Sequence, residues 1–463
     1  MLIQIQEPGQ STEVEKKGKV LGIDFGTTHS VVAYSEKSQA HIVPIETERL
    51  VPSVVHYESD QVWVGHKAES FSASIRSIKR YMSPEFPNPY DHNPIDVACD
   101  IFTYIKHKAE NVLREPVTGA VITVPAYYGE AAREATRKAA HMAGIPVLRL
   151  LSEPTAAALA YRLDEQKEGI YLVYDLGGGT FDVSVLQMKK GIFQVLAVQG
   201  KLALGGDDFD EAIWEHFLKP KYTGSKIEGV LQARTIKEHL SFAARWEGKI
   251  GGQTLFITQE MISAILQPWV SKTILLCEEA LKDAGVNKNQ LQGVVLVGGS
   301  SRIPCVQNEV ENFFNQKPLG YLNPDEVVAL GAALHAEALV TGKGKLLLDV
   351  TPFALGMETL GGAVEVLIPR NASLPCAISQ QFTTSYDGQT KIKIHVVQGE
   401  GPRVENAISL ATFVLSDIPP MHAGLPQIKV TFTLDADGIL SVTAEEQISH
   451  QKQSIQVKPS YSF

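Results

Sequence analysis

Cysteine is scarce. Cys99, Cys277, Cys305 and Cys376 are the four in 463 residues, and none forms a Cys-x-x-Cys pair. That excludes a disulfide scaffold, a zinc ribbon and a self-contained iron–sulphur site, and it fits a reducing cytosol. No apolar run approaches the roughly 18 residues of a membrane span, so no membrane is expected. Basic charge is not in excess: 42 Lys and Arg face 52 Asp and Glu, a formal −10. Nucleic-acid binding through a basic face is therefore not expected. There is no Gly-x4-Gly-Lys-Ser/Thr, so the chain is not a P-loop protein. No Gly-x-Gly-x-x-Gly follows a strand, which disfavours a dinucleotide-binding dehydrogenase. Residues 1–19 are polar, mixed in charge and without an apolar stretch, which reads as a loose tail and not a signal peptide.

What is present is a globular balance, 44 % hydrophobic and 20 % charged, with length for roughly three domains. From Val20 to about Thr341 short β-rich runs alternate with helical patterns. Val20–Asp24, Ala120–Val124, Tyr171–Asp175 and Val294–Val297 read as buried strands. Glu130–Ala143, closed by Gly144, and Glu326–Ala338, opened by Asn323-Pro324-Asp325, read as helices. This alternation predicts an α/β domain. From Thr351 the apolar period becomes two, as in Lys391–Val396, and Asp437-Gly438 marks a hairpin turn. That texture predicts an antiparallel sandwich. Between the two parts, Gly342-Lys343-Gly344-Lys345 precedes Leu346-Leu347-Leu348-Asp349. The leucines either start a strand or form a segment that docks on one domain in one state only.

A repeat carries the chemistry. Gly22-Ile23-Asp24-Phe25-Gly26-Thr27-Thr28 and Tyr174-Asp175-Leu176-Gly177-Gly178-Gly179-Thr180 each end a strand. Their glycines let backbone amides approach phosphate oxygens, and the threonines add neutral donors. Each Asp suits the water shell of Mg²⁺. Two copies imply two halves facing one nucleotide. A third Gly-rich strand end, Val297-Gly298-Gly299-Ser300-Ser301-Arg302, offers a backbone surface for a flat base and a guanidinium to stack on it.

These motifs resemble the seventy-kilodalton heat-shock chaperone (DnaK-like) family. So do Val121–Tyr128, Ser152–Ala158, Leu204–Asp210, Asn323–Glu326 and Leu346–Pro352, and the likeness runs from about Val20 to the C-terminus. Ile368–Asn371, Phe382–Thr390, His395–Glu400 and Ser454–Tyr461 are most similar to its HscA-type branch, which serves iron–sulphur cluster assembly. The resemblance implies an actin-like, ribonuclease-H-type duplicated ATPase domain over 20–341, a linker over 342–350 and a β-sandwich peptide-binding domain over 351–463. It implies ATP or ADP with Mg²⁺, K⁺ as a further ion, slow hydrolysis stimulated by client and J-domain cochaperone, a monomer and a cytoplasmic setting.

By the same resemblance Lys79 reaches the γ-phosphate and the attacking water. Asp24 and Asp175 hold magnesium waters, Glu153 another, and Asp182 orients the attacking water. Thr27, Thr28 and Thr180 contact phosphate or that water, with Gly26, Gly177, Gly178, Gly179, Gly205 and Gly206 around them. Lys237 lies at the adenosine, and Gly298, Gly299, Ser300, Arg302 and Asp325 at the base. Pro125 and Arg133 form a nucleotide-sensing switch, and Arg149 and Asp349 meet the cochaperone. Met357, Thr359, Leu360, Phe382, Ser385, Ile392 and Ile394 line or arch over a peptide groove, although strand alternation alone would place some of the last two and Phe382 in sandwich core.

The departures are His29, Arg234 in place of a ribose-binding Glu, Ser152, Gly129 and Glu130. The stretches Lys79–Pro125 and Asp210–Lys237 are shorter than usual, and the helical lid of the family is expected to be missing, either through truncation or as a natural lidless variant. A lidless chain is expected to release peptide faster. The competing expectations are a lidless general folding chaperone, a weakly hydrolysing nucleotide-sensing scaffold, and a sugar or metabolite kinase of the same superfold. The last predicts neither sandwich nor leucine linker.

Overall fold

The computed structural model describes residues 18–59, 61–83, 86–161, 168–189, 192–320, 322–342 and 347–456. The first 17 residues, Leu346 and the Val457–Tyr461 stretch of the branch resemblance lie outside them.

The first sheet starts as a meander of β1 (Lys19–Phe25), β2 (His29–Glu36) and β3 (Gln39–Ile42), with β4 (Val51–Pro52) pairing off β2. A small hairpin, β5 (Val55–Glu58) and β6 (Gln61–Val64), stands beside it. β7 (Val117–Val124) and β8 (Val147–Ser152) then add in parallel, giving the order β3-β2-β1-β7-β8. Helices α1 (His66–Glu69), α2 (Pro94–Leu113), α3 (Glu130–Met142) and α4 (Glu153–Ala160) complete this lobe.

The second sheet repeats the plan. β9 (Gly169–Leu176), β10 (Phe181–Lys189) and β11 (Ile192–Lys201) form the meander. After the hairpin β12 (Arg245–Ile250) and β13 (Gln253–Thr258), β14 (Leu291–Val297) joins β9 in parallel, as β7 joins β1. Its helices are α5 (Gly206–Ile213), α6 (Lys226–Leu240), α7 (Gln259–Asp283) and α8 (Pro304–Phe314), and α9 (Val327–Thr341) then crosses back onto the first sheet. A further strand, β15 (Leu347–Leu348), lies parallel on the free edge of β11, giving β14-β9-β10-β11-β15.

The strands sit where their sequences demand. Tyr171–Tyr174 of β9 and Val294–Val297 of β14 read as continuous apolar runs because each is covered on both faces. α9 is rich in Ala and Gly, which lets it press closely on β1, β2 and α4. A Cβ on Gly331 would fall 1.8 Å from the Ala156 carbonyl oxygen, and one on Gly22 2.1 Å from the Ala333 nitrogen. These contacts close the two lobes around one crevice.

The remaining chain forms two four-stranded antiparallel sheets. One is β17-β16-β19-β20: β16 (Leu355–Thr359), β17 (Ala363–Ile368), β19 (Ile392–Gln398) and β20 (Ile408–Leu415). The other is β18-β21-β22-β23: β18 (Cys376–Phe382), β21 (Ile428–Leu434), β22 (Leu440–Glu446) and β23 (Lys452–Gln456). Alternate residues such as Val430, Phe432, Val442 and Ala444 fill the space between them, and their neighbours face water. The β21–β22 turn holds Gly438 at φ 79°, a conformation suited to glycine.

Candidate functional site

The twin loops face one another. Asp24 ends β1 and Asp175 ends β9, and both line a single cleft of about 600 Å³. A Cβ on Gly178 would lie 2.0 Å from Thr28 Oγ1, and one on Gly179 2.7 Å from Thr27 Cγ2. The glycines therefore let the loop of one lobe touch that of the other. Gly205 and Gly206 extend the wall: Gly206 N donates to Gly177 O at 3.0 Å and Asp207 N to Gly178 O at 2.7 Å.

Deep in the cleft lies a buried charge cluster. Lys79, 4 % exposed, donates from Nζ to Glu153 Oε1 at 2.6 Å. Asp24 Oδ1 accepts from the Thr123 hydroxyl at 3.3 Å, and Asp182 Oδ1 accepts from Tyr127 N at 2.9 Å. Burial and the neighbouring Glu153 push Asp24 and Asp182 each up to about 7. Asp175 is raised for the same two reasons. Burial opposes the Lys79 charge, but Glu153 and Asp24 outweigh it and hold its pKa above the ordinary value. Four carboxyl groups thus share one ammonium, and Asp182 Oδ2 is buried without a partner. Such a set is suited to a cation. Among the described residues no three acidic, His or Cys side chains converge to ligate a metal directly, so these donors suit a cation kept in its water shell.

Elsewhere along the cleft the side chains hold one another. Lys237 Nζ meets Asp210 Oδ1 at 2.6 Å and donates to Gly206 O at 2.8 Å. Arg234 bridges Asp207 at 2.6 Å and Asp210 at 2.9 Å. In the sequence Arg234 stands out only as a departure. The ion pairs that give it a place join residues 24 and 27 positions apart, and no local pattern announces them. Arg302 lines the same cleft, and its guanidinium pairs with Asp325 at 2.6 Å. The neighbouring glycines serve packing as well, since a Cβ on Gly298 would fall 2.4 Å from Leu176 O and one on Gly299 2.9 Å from Asp325 Oδ1. Ser300 Oγ donates to Gly177 O at 2.9 Å.

A second set of residues joins the lobes to the sandwich. Arg133 Nε donates to Tyr128 O at 3.2 Å and its Nη1 to Asp437 O at 3.1 Å. The Asp437 carboxylate accepts from Leu150 N at 3.0 Å, meets Arg149 Nε at 3.3 Å and pairs with Arg137. Glu130 Oε1 accepts from Leu440 N at 3.1 Å. Arg370 pairs with Asp283, and the Tyr127 and Phe353 rings meet edge-on at 4.7 Å. In the sequence Asp437-Gly438 shows only as a hairpin turn. Of the residues expected to meet a cochaperone, Arg149 is engaged by Asp437, and the Asp349 carboxylate accepts from Val350 N at 2.8 Å. Tyr128 N donates to Pro125 O at 3.1 Å, a turn that leads into the Arg133 helix.

The expected groove residues divide. Met357 and Ile394 are buried in the sandwich core, and Phe382 and Ile392 pack partly against it. Strand alternation puts Met357 on the inward face of β16 and Ile392 and Ile394 on that of β19, while Phe382 ends β18 in the facing sheet. Leu360 is 85 % exposed, Thr359 Oγ1 donates to Ala363 O at 3.2 Å, and Ser385 N donates to Gln389 Oε1 at 2.9 Å.

Against known proteins, the model of the family described as "Hsp70 protein" matches residues 20–91 and 88–463. The chain belongs to the Hsp70 family. It is similar to the "Chaperone protein HscA homolog" of Haemophilus influenzae, 44 % identical over 505 residues that cover all of this chain and 81 % of that protein. The proteins of the same name from Acinetobacter baylyi (45 % over 501 residues) and Burkholderia lata (44 % over 508) cover 81 % and 82 % of their own lengths. The chain is thus an Hsp70 of the HscA type, an ATP-hydrolysing chaperone. Hsp70 proteins in general bind ATP or ADP with magnesium and work with client proteins and J-domain cochaperones. No helix among the described residues is long and apolar enough to cross a membrane.

Proposed function

We propose that this Hsp70 couples ATP hydrolysis in the two-lobed part, 20–341, through the linker 342–350, to peptide binding by the sandwich, 351–463. Its client would be the scaffold protein of iron–sulphur cluster assembly, in the cytoplasm, with a J-domain cochaperone and with the chain acting as a monomer. The observation that carries the reading is the facing pair Asp24 and Asp175 in one cleft with Lys79 and Glu153. What supports the coupling is the seam from Arg133 to Asp437 and the pairing of β15 on β11.

Asp24 and Asp175 would hold magnesium through its waters, with Glu153 on another water and K⁺ as a further ion. Bound magnesium supplies neutralising charge for the phosphates. Thr27, Thr28 and Thr180, with the amides of Gly26, Gly177, Gly178 and Gly179, would bind the phosphate oxygens. Lys79 would offset charge growing on the transferred phosphoryl group, and Asp182 would orient the attacking water. Gly205, Gly206, Lys237, Gly298, Gly299, Ser300, Arg302 and Asp325 would enclose the nucleoside. Leu360 and Phe382, with Thr359, Ser385 and Ile392, would meet an extended peptide, Met357 and Ile394 forming the floor beneath.

The test is a single-turnover ATPase assay with a peptide from the cluster scaffold protein, with and without the J-domain partner. Several-fold stimulation and saturable binding that Leu360→Asp weakens are expected. A null titration with an active preparation would remove the client assignment.

A further inference from the structure

Phe242 is an aromatic residue left in water. It is 78 % exposed, more than any other aromatic side chain among the described residues. It does not stand on open surface. It lines the cleft of Asp24 and Asp175, together with Lys237, Ser300 and Arg302. A lone apolar side chain on a convex surface is ordinary. In a concave wall made largely of polar groups, the same ring offers a ligand one flat apolar face.

The backbone beneath the ring is fixed. Phe242 lies in the turn that ends α6, where its own N and that of Ala243 both donate to His239 O, at 3.1 and 3.0 Å. Gln259 Nε2 donates to Leu240 O at 2.8 Å, and Ser241 Oγ to Lys237 O at 3.1 Å. The same helix end carries Lys237, pinned by Asp210 and the Gly206 carbonyl. The ring is thus presented from a rigid turn, and only its two side-chain torsions remain to be ordered by a ligand. Arg302 reaches the cleft from a different element, the turn after β14, and is held there by Asp325 and Asn323.

We propose that Phe242 is a specificity-determining residue of the cleft: its ring stacks on the base of the bound nucleotide and gives the site an aromatic contact besides Arg302. The inference rests on the ATP-driven reading above, which sets the nucleoside beside Lys237 and Arg302. Base–aromatic stacking uses the π-face of a base and not its hydrogen-bonding edge. Phe242 therefore distinguishes a phosphate chain that carries a base from one that does not, and is indifferent to which base it is. Stacking also withdraws the exposed ring from water, a gain that no bare polyphosphate can supply.

The experiment titrates the full chain with magnesium ADP and, separately, with magnesium tripolyphosphate. Phe242→Ala is expected to weaken ADP binding about tenfold, equivalent to about 1.4 kcal/mol and within the range of base–aromatic stacking. Tripolyphosphate affinity should stay within about twofold, and Phe242→Tyr should bring ADP affinity back to within about twofold of wild type, since a phenol ring stacks as well. Unchanged ADP affinity in Phe242→Ala, or an equal loss for both ligands, would overturn the proposal. A second readout is spectroscopic. In Phe242→Trp a new indole joins the four native tryptophans, and ADP should quench its emission while tripolyphosphate does not. No quenching beyond that of the wild type would also overturn it. A wild type that binds neither ligand would strike the nucleotide reading of the cleft and the proposal with it. A wild type that binds ADP no better than Phe242→Ala strikes the proposal alone.

Discussion

At the scale of the residue, the decisive fact is that Lys79 is the ammonium among four buried carboxyl groups. Lys79→Ala would leave Glu153 buried without its partner and drive the aspartates further toward the protonated form. Turnover is expected to fall roughly 100-fold or more, the size of an electrostatic contribution to the transition state, while nucleotide still binds; single-turnover kinetics beside equilibrium titration check this. Glu130 makes a different prediction. Burial, with Glu134 and Asp435 near, lifts it from 4.5 to about 8, and its Oε2 has no partner. A raised carboxyl contributes most below its unfolded value and loses that contribution as pH climbs through its folded value. Protection of the Leu440 amide should therefore weaken between about pH 4.5 and pH 8, and Glu130→Gln should flatten that dependence. The twin Asp–Gly motifs were legible in the sequence because strand ends and glycines are local. The Lys79–Glu153 pair spans 74 positions, and only the family likeness drew attention to it.

At the scale of the element, α4 and α9 matter most, because they cross with almost nothing between them. Gly331→Ala would drive a methyl group into the Ala156 carbonyl. Because α4 begins at Glu153, the strain would also displace the partner of Lys79. A loss of at least about 2 kcal/mol in urea unfolding is expected, as for overpacked cores, together with slower turnover. The strands themselves were readable within a few residues, since buried runs and period-two alternation are visible in one dimension. The hand-over at the linker was not: the leucines fitted both a strand and a docking segment, and Leu347–Leu348 are in fact a strand that docks. The Asp437 turn shows the same limit. Its shape was legible from Asp-Gly, but its four partners lie nearly 300 positions away, where spacing carries no information.

At the scale of the whole molecule, the attachments between the sandwich and the lobes include the Asp437 turn, the Glu130–Leu440 bond, the Arg370–Asp283 pair, the Tyr127–Phe353 ring contact and, through the linker, β15 on β11. Replacing Leu346–Leu348 by serine should loosen the last and let the two parts separate. Small-angle scattering would then give a larger radius of gyration, and the client would no longer stimulate hydrolysis; unchanged values of both would count against this role. β15 offers only two residue pairings, Phe193 with Leu347 and Gln194 with Leu348. A fastening that small is worth only a few kcal/mol at most, within the range that one ligand can shift. It works as a snap and not a weld, closing when the neighbouring contacts agree and opening without either half having to unfold.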